Sequence, residues 1–175
     1  MHKKKQRFFY CPKCGGVLQY KSHNDILRLT CLACSYILYE NPLVGVAGVV
    51  LDNENRILLG CRNSSRYHGL WCIPCGYLEY DEDLYAGLRR EFKEETNLDI
   101  EAIDLLSVQS NFHDPERHSV GIWFRVRITG GTMMAGDDLS ELYYFPLDQI
   151  PLLAFVTDEK VVSLLKNETI GEGQL

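Results

Sequence analysis

Three carboxylates, Glu91, Glu94 and Glu95, lie three and four residues apart in the run Arg90-Glu-Phe-Lys-Glu-Glu-Thr96. On a helix that spacing puts all three on one face, where like charges repel by roughly 0.2–0.5 kcal/mol per pair. A hard cation that prefers oxygen, Mg²⁺ or Mn²⁺, turns this repulsion into ligation. The ordinary reading of such a cluster is a solvated acidic face. Two neighbours weigh against it. Arg90 stands four residues before Glu94, so an ion pair along the helix can fix one member of the set. Gly76, ahead of the helix, lets the backbone come close to a metal or phosphate. A second set of ligands lies near the N-terminus, in Cys11-Pro-Lys-Cys14 and Cys31-Leu-Ala-Cys34. Two C-x2-C pairs at this separation have the spacing of a four-thiolate zinc site.

The elements that must hold these groups can be read around them. Leu84, Leu88 and Phe92 form an i, i+4, i+8 apolar seam, which predicts a helix facing a core. Its N-cap is expected at Asp81 or a neighbour, with acids in the first turn. Between the Cys pairs, 17–20 and 26–30 read as short strands joined by a turn at Ser22-His-Asn-Asp25. His23 lies in that turn, and four thiols already complete a zinc shell, so it is not expected to ligate. A disulfide reading of the four thiols is disfavoured in a reducing compartment.

Pro42 marks the expected boundary, giving residues 1–40 as a small zinc module with a basic tail. Residues 41–170 form the larger domain and 171–175 a tail. Leu43 to Leu51 is apolar throughout, which implies a strand buried on both faces. With Arg56–Cys61 it predicts a β-hairpin across the turn Asp52-Asn-Glu-Asn55. Strands are expected over 100–112, 119–129 and 142–146. A closing helix is expected over 157–167, capped by Thr157. Cys72-Ile-Pro-Cys75 has thioredoxin-like spacing, but no helix starts at its first Cys. A redox role is therefore not expected, and Cys72 reads as a buried strand residue.

The charge is uneven. Residues 1–40 carry seven Lys/Arg against Asp25 and Glu40, a balance of +5, and the remainder carries eleven against twenty-two, a balance of −11. A basic end on an acidic body suggests two modules. A short basic tail is commonly only solvated, so nucleic acid is not an expected partner. No apolar run approaches the roughly 20 residues that span a bilayer. Phe8-Phe9-Tyr10 is too short for the apolar region of a signal peptide. The expectation is a cytoplasmic protein with no membrane partner.

Gly76, Glu82, Arg90-Glu91, Glu94-Glu95 and Leu98 fit the motif G-x5-E-x7-R-E-U-x-E-E-x-G-U at every fixed position except Asn97, which replaces its second Gly. By these residues the chain resembles the Nudix hydrolases, and the family's Gly at that position implies that Asn97 ends the helix in a left-handed conformation, which Asn tolerates best after Gly. Gly69, Trp71, Pro74 and Gly76 also match the approach G-x-W-x-x-P-G-G, with Cys75 in place of one Gly. The resemblance implies an α/β fold, the Nudix α/β/α sandwich with a mixed sheet, preceded here by a zinc ribbon at about residues 8–38. It further implies metal-dependent cleavage of a pyrophosphate linked to a nucleoside. Mg²⁺ or Mn²⁺ would sit on Glu91, Glu94, Glu95 and the Gly76 carbonyl. Arg90 and Glu82 would orient that cluster, and zinc on Cys11, Cys14, Cys31 and Cys34 would be structural. The general base is left open among Glu94, Glu95, Glu116 and Glu141. Tyr77, Glu79, Glu116 and Glu141 are candidate substrate contacts.

Ribbon plus Nudix domain resembles the dinucleotide pyrophosphatases. The S-Q-P-W-P-F-P-x-S array of the NADH-cleaving kind is missing from residue 99 onward. Pro74–Glu79 and Leu147–Pro151 with Ala154-Phe155 look more like proteins acting on FAD or ADP-ribose. A flat ring would stack on Tyr77, Phe112 or Trp123. The alternative is a non-catalytic nucleotide sensor or a nucleic-acid-binding regulator using the basic ribbon. A homodimer is possible in either case, as in many symmetric assemblies.

Overall fold

The structure, a computed structural model, describes residues 6–172, with side chains through residue 168. The basic N-terminal run is therefore only partly covered, and most of the expected C-terminal tail lies outside the described residues. The chain divides into two compact units between Asn41 and Pro42.

The first unit is a three-stranded antiparallel sheet of β1 (Leu18–His23), β2 (Ile26–Cys31) and β3 (Ile37–Leu38), in that order. Its turn is tighter than the sequence suggests. Only Asn24 and Asp25 leave the ladder, both at positive φ (48° and 63°), the backbone of a two-residue hairpin turn that favours these residue types. His23 therefore ends β1, where Nε2 pairs with Thr30 Oγ1 at 2.9 Å. The apolar content is small: Cys11, Leu18, Leu29 and Cys31, with Tyr20 and Leu38 against them. A core of that size cannot stabilise 30-odd residues alone.

The second unit contains β4 (Leu43–Val49), β5 (Arg56–Arg62), β6 (Trp71–Cys72), β7 (Cys75–Tyr77), α1 (Leu84–Thr96), β8 (Leu98–Asn111), β9 (Ser119–Gly131), β10 (Leu139–Pro146) and α2 (Val156–Glu172). One sheet runs β7-β4-β9-β8, with β4 and β9 parallel and the other pairs antiparallel; the other runs β10-β5-β6. The predicted β4–β5 hairpin does not form as a ladder. Asp52 builds the turn, its Oδ1 accepting from the backbone N–H of Glu54 and Arg56. Beyond a bridge at Leu51 and Ile57 the strands part into different sheets. β4 takes β9 as its long partner and β5 takes β10.

The continuous apolarity of β4 is used on both faces. Val46 and Val50 join a core with Leu88 and Phe92 of α1, while Ala47 and Val49 join one with Val161, Val162 and Leu165 of α2. β5 and β9 divide likewise, Leu58 and Phe124 toward α1 and Leu59 and Trp123 toward α2. This period-2 division is what places one helix on each side and makes the sandwich. Gly48 lets α1 approach closely, since a Cβ there would lie 2.5 Å from the Phe92 ring.

Helix boundaries differ from expectation at three ends. α1 is capped by Asp83, which accepts from the N–H groups of Tyr85 and Ala86. Asp81 and Glu82 consequently precede the helix, and its first turn holds no acid. α2 opens at Val156 with Thr157 buried inside its first turn, and continues to Glu172. The Phe155 carbonyl accepts from the N–H groups of Asp158 and Glu159, doing the work assigned to Thr157. Asn97 ends α1 as expected, at φ 57° and ψ 15°, with its N–H returned to the Lys93 carbonyl.

Candidate functional site

The site is assembled by Arg90. Its Nε and Nη2 grip Glu82 with two bonds of 2.7 Å. Nη1 reaches Glu91 Oε1 at 2.8 Å and Glu94 Oε2 at 3.1 Å, and Nη2 also meets the Tyr77 carbonyl at 3.2 Å. One guanidinium thus ties the residues before α1 to two carboxylates on it, the bidentate use that an ammonium cannot imitate. Arg90 holds the Glu82 carboxyl down to about 2, so Glu82 is ionised throughout the neutral range. The Glu79 N–H adds a bond to Glu82 Oε2 at 3.1 Å.

Glu91 lies against β7 at Gly76. A Cβ on Gly76 would fall 1.9 Å from Glu91 Oε2, so only glycine leaves room for the carboxylate. Burial holds the Glu91 carboxyl above its ordinary range, with Arg90 pulling the other way. Glu94 is the exposed member of the set, its side chain 51% accessible. Glu95 is turned inward and is 2% exposed, with Oε2 accepting from the Cys75 N–H at 2.7 Å. Burial first, then the neighbouring Cys75 and Asp138, push its carboxyl well above the usual range.

Of the residues that the sequence puts in one stretch, Glu82, Glu91, Glu94 and the Tyr77 carbonyl gather on Arg90, Glu91 lies against Gly76, and Glu95 turns to the Cys75 N–H instead. Among the described residues Glu91, Glu94 and Glu95 do not close into one metal-sized cluster, which only the four cysteines form. Glu79 enters by its backbone, its side chain being exposed. Glu116 lies on the loop between β8 and β9, and Glu141 is an exposed residue of β10 opposite Cys61. Neither shares an element with the cluster. Trp123 is not a stacking surface: it is 5% exposed and its Nε1–H donates to Asp158 Oδ1. Tyr77 and Phe112 are exposed.

Three further charged residues, of which only Asp158 is buried, had no signal in the sequence. Arg62 pairs with Asp138 and approaches Cys72 Sγ at 3.9 Å. Asp158 is 1% exposed, accepts from the Ile73 N–H and the Trp123 indole, and is pushed up to about 7 by burial. Cys72 is fully buried in β6, and a hydrogen bond that the Cys75 thiol gives to Cys72, followed by burial, raises the Cys75 thiol.

The oxygen donors fit a hard divalent ion. One oxygen each of Glu91 and Glu94 is held by Arg90, leaving the other of each for a ligand. Carboxylate and carbonyl oxygens are the donors that Mg²⁺ and Mn²⁺ prefer. In the ribbon, the four Sγ atoms lie within 4.8 Å of one another, at 3.3–3.8 Å for the closest pairs. A tetrahedron of bonds of about 2.3 Å has edges of about 3.8 Å, so four thiolates at these separations suit Zn²⁺. The Cys34 N–H, chief among the local donors, lowers the Cys31 thiol to about 6, whereas at Cys14 the Gly16 N–H is outweighed by bonds to the Cys34 and Cys31 sulfurs, which push that thiol up to about 12. Without an ion the four share their protons unequally, Cys31 ionising first. Gly15 and Ser35 turn each knuckle at positive φ.

The second unit thus lays a helix carrying arginine-ordered carboxylates on one side of a mixed sheet. The NUDIX domain model matches residues 41–165, and the chain belongs to the Nudix family of pyrophosphohydrolases. It is 38% identical over 128 residues to an ADP-ribose pyrophosphatase of Methanocaldococcus jannaschii, covering 73% of this chain and 75% of that one. It is 28% identical over 179 residues to the NAD-capped RNA hydrolase NudC of Vibrio atlanticus, where it spans 97% of its own length and 63% of the relative. A Nudix hydrolase of Nitrosomonas europaea superposes with a TM-score of 0.82 at 28% identity, over 94% of both chains. Among the described residues, no helix is long and apolar enough to cross a membrane.

Proposed function

We propose that the protein hydrolyses the diphosphate of a nucleoside diphosphate linked to another moiety, of the ADP-ribose, FAD or NADH type, and releases a nucleoside monophosphate. The observation that carries this reading is the Arg90 cluster seated on Gly76, which leaves Glu91 and Glu94 oxygens available beside each other. The similarity to an ADP-ribose pyrophosphatase supports the substrate class.

A bound Mg²⁺ or Mn²⁺ would neutralise diphosphate charge and lower the pKa of a water. Glu91, Glu94 and Glu95 would hold it, with the Gly76 carbonyl. Arg90 and Glu82 set the positions of these carboxylates, as hydrogen-bonded outer partners do at metal sites. Glu95 is held by the Cys75 N–H, which aims its carboxylate from inside the fold. Glu94, the most exposed of the three, is best placed to take a proton from water. Zinc on Cys11, Cys14, Cys31 and Cys34 has no open position for chemistry and holds the ribbon together.

The test is release of AMP from ADP-ribose with Mg²⁺. Wild type is expected to turn over, and Glu94→Gln to lose at least about 10³-fold in kcat, the loss of a group that both orders the metal and moves a proton. An unchanged rate in Glu94→Gln removes that residue from the site. A screen over ADP-ribose, FAD, NADH, diadenosine polyphosphates and nucleoside triphosphates then ranks the linked moiety.

A further inference from the structure

The register of the zinc ribbon places Lys21 of β1 directly opposite Arg28 of β2. Like charges facing each other across an antiparallel pair destabilise the sheet. Among the described residues neither is joined to a carboxylate, and neither acid of the unit, Asp25 in the turn or Glu40 after β3, lies on a strand. Alternation separates the two faces. Leu18, Leu29 and Cys31 turn toward the small core, so Val17, Gln19, Lys21, His23, Arg28 and Thr30 turn away from it. Thr30, bonded to His23, is buried, and the open part of this face is the Lys21–Arg28 end with Gln19 and Val17. Two exposed tyrosines share that face, Tyr39 beside the cations and Tyr10 toward the other end of β1. Tyr10 bridges Val17 beside β1 and is 70% exposed. Tyr39 follows β3, is 56% exposed, and carries the Arg28 guanidinium over its ring at 4.7 Å.

We propose that this open face of the ribbon sheet binds single-stranded nucleic acid, Lys21 and Arg28 taking successive phosphates and Tyr10 and Tyr39 stacking bases. Cations in the middle strands with aromatics on the outer edges are the two ingredients of a sequence-tolerant single-strand platform. The phosphate backbone also removes the Lys21–Arg28 repulsion, which supplies a reason for keeping that pair. The sequence alone argued against nucleic acid because it weighed the tail; the strand pairing shows cations converging on one surface. The relative with an RNA substrate spans the ribbon as well as the Nudix domain.

The experiment uses the full, zinc-loaded chain without added Mg²⁺ and a fluorescein-labelled 12-nucleotide unpaired RNA, followed by anisotropy across a salt series. Binding is expected, with Lys21→Gln and Arg28→Gln each weakening it several-fold and flattening the log–log salt slope by about 0.7 per cation removed. Tyr39→Ala is expected to weaken binding with the slope unchanged. The Gln variants should keep zinc and hydrolyse ADP-ribose as wild type does. Lys21→Gln, which removes a repulsion and no favourable contact of Lys21 that the structure shows, should melt no lower than wild type; a purely structural role for Lys21 would predict the reverse. Wild-type affinity no greater than for a poly-glutamate peptide or an anionic vesicle overturns the proposal, as does unchanged RNA binding in both Gln variants. Since binding is read without turnover, failure of ADP-ribose hydrolysis would sink the catalytic reading and leave this one standing.

Discussion

At the scale of single residues, the site depends on what Gly76 lacks as much as on what Arg90 supplies. Arg90 spends its donors on Glu82, Glu91 and Glu94, so the three carboxylates move together or not at all. The place where Glu91 can rest exists because β7 has no side chain there. A methyl at Gly76 must displace the Glu91 carboxylate by more than an ångström to reach ordinary contact. Misplacements of that size typically cost about 10²-fold in rate. Gly76→Ala is accordingly expected to lower kcat by about that factor and to raise the Mg²⁺ concentration for half-activity. Arg90 and Glu82 should stay paired. Wild-type kinetics in this variant, measured over a Mg²⁺ series, would show that Glu91 does not work from its position against β7.

At the scale of elements, the sequence was most informative where spacing is local. The carboxylates, Arg90 and the apolar seam sit within one helix, and the four Cys sit in two knuckles, so their grouping needed no knowledge of the fold. Long-range choices were invisible. Nothing in Leu43–Cys61 says that β4 prefers the distant β9 to the adjacent β5, because both pairings bury the same apolar residues. Asp158, Arg62 and Asp138 gave no signal for a related reason. They are single charged residues from separate elements, and only the packed sheet makes them neighbours. Asn97 is an intermediate case: its left-handed backbone was expected from the family pattern, whereas its side-chain bond to the Thr132 carbonyl at 2.9 Å was not. That pair of facts yields a test. Asn97→Ala keeps the strained φ and loses the bond, and should cost roughly 1–2 kcal/mol. Asn97→Gly loses the bond but relieves φ, and should stay within about 0.5 kcal/mol of wild type. Urea unfolding of the three proteins decides it, and equal losses for Ala and Gly would assign the position to the side chain alone.

At the scale of the whole molecule, the strands of the second unit send alternate residues to two cores, and acids are buried beside the one under α2. Asp158 at the start of that helix takes N–H bonds from the residue after β6 and from β9, fixing the helix to both. Burial sets its folded pKa at about 7, against roughly 3.9 in the unfolded chain. The folded state therefore holds a proton that the unfolded state has released between those values. Stability contributed by this group is present below about pH 4 and declines as pH rises to about 7. Glu95 and Glu91 shift in the same direction, and Glu82, Asp52 and Asp114 in the opposite one at lower pH. The wild-type profile is thus a sum, and the informative quantity is the difference from Asp158→Asn. Asn does not titrate, and the hydrogen bond it forfeits costs the same at every pH. The wild type should lose stability relative to Asp158→Asn by on the order of 3–4 kcal/mol between pH 4 and 8. Both tryptophans, Trp71 and Trp123, belong to this unit, so their fluorescence in urea, without Mg²⁺, reports its unfolding. A difference that stays constant with pH would mean that Asp158 is ionised within the fold, its charge carried by the Ile73 and Trp123 donors and the nearby Arg62.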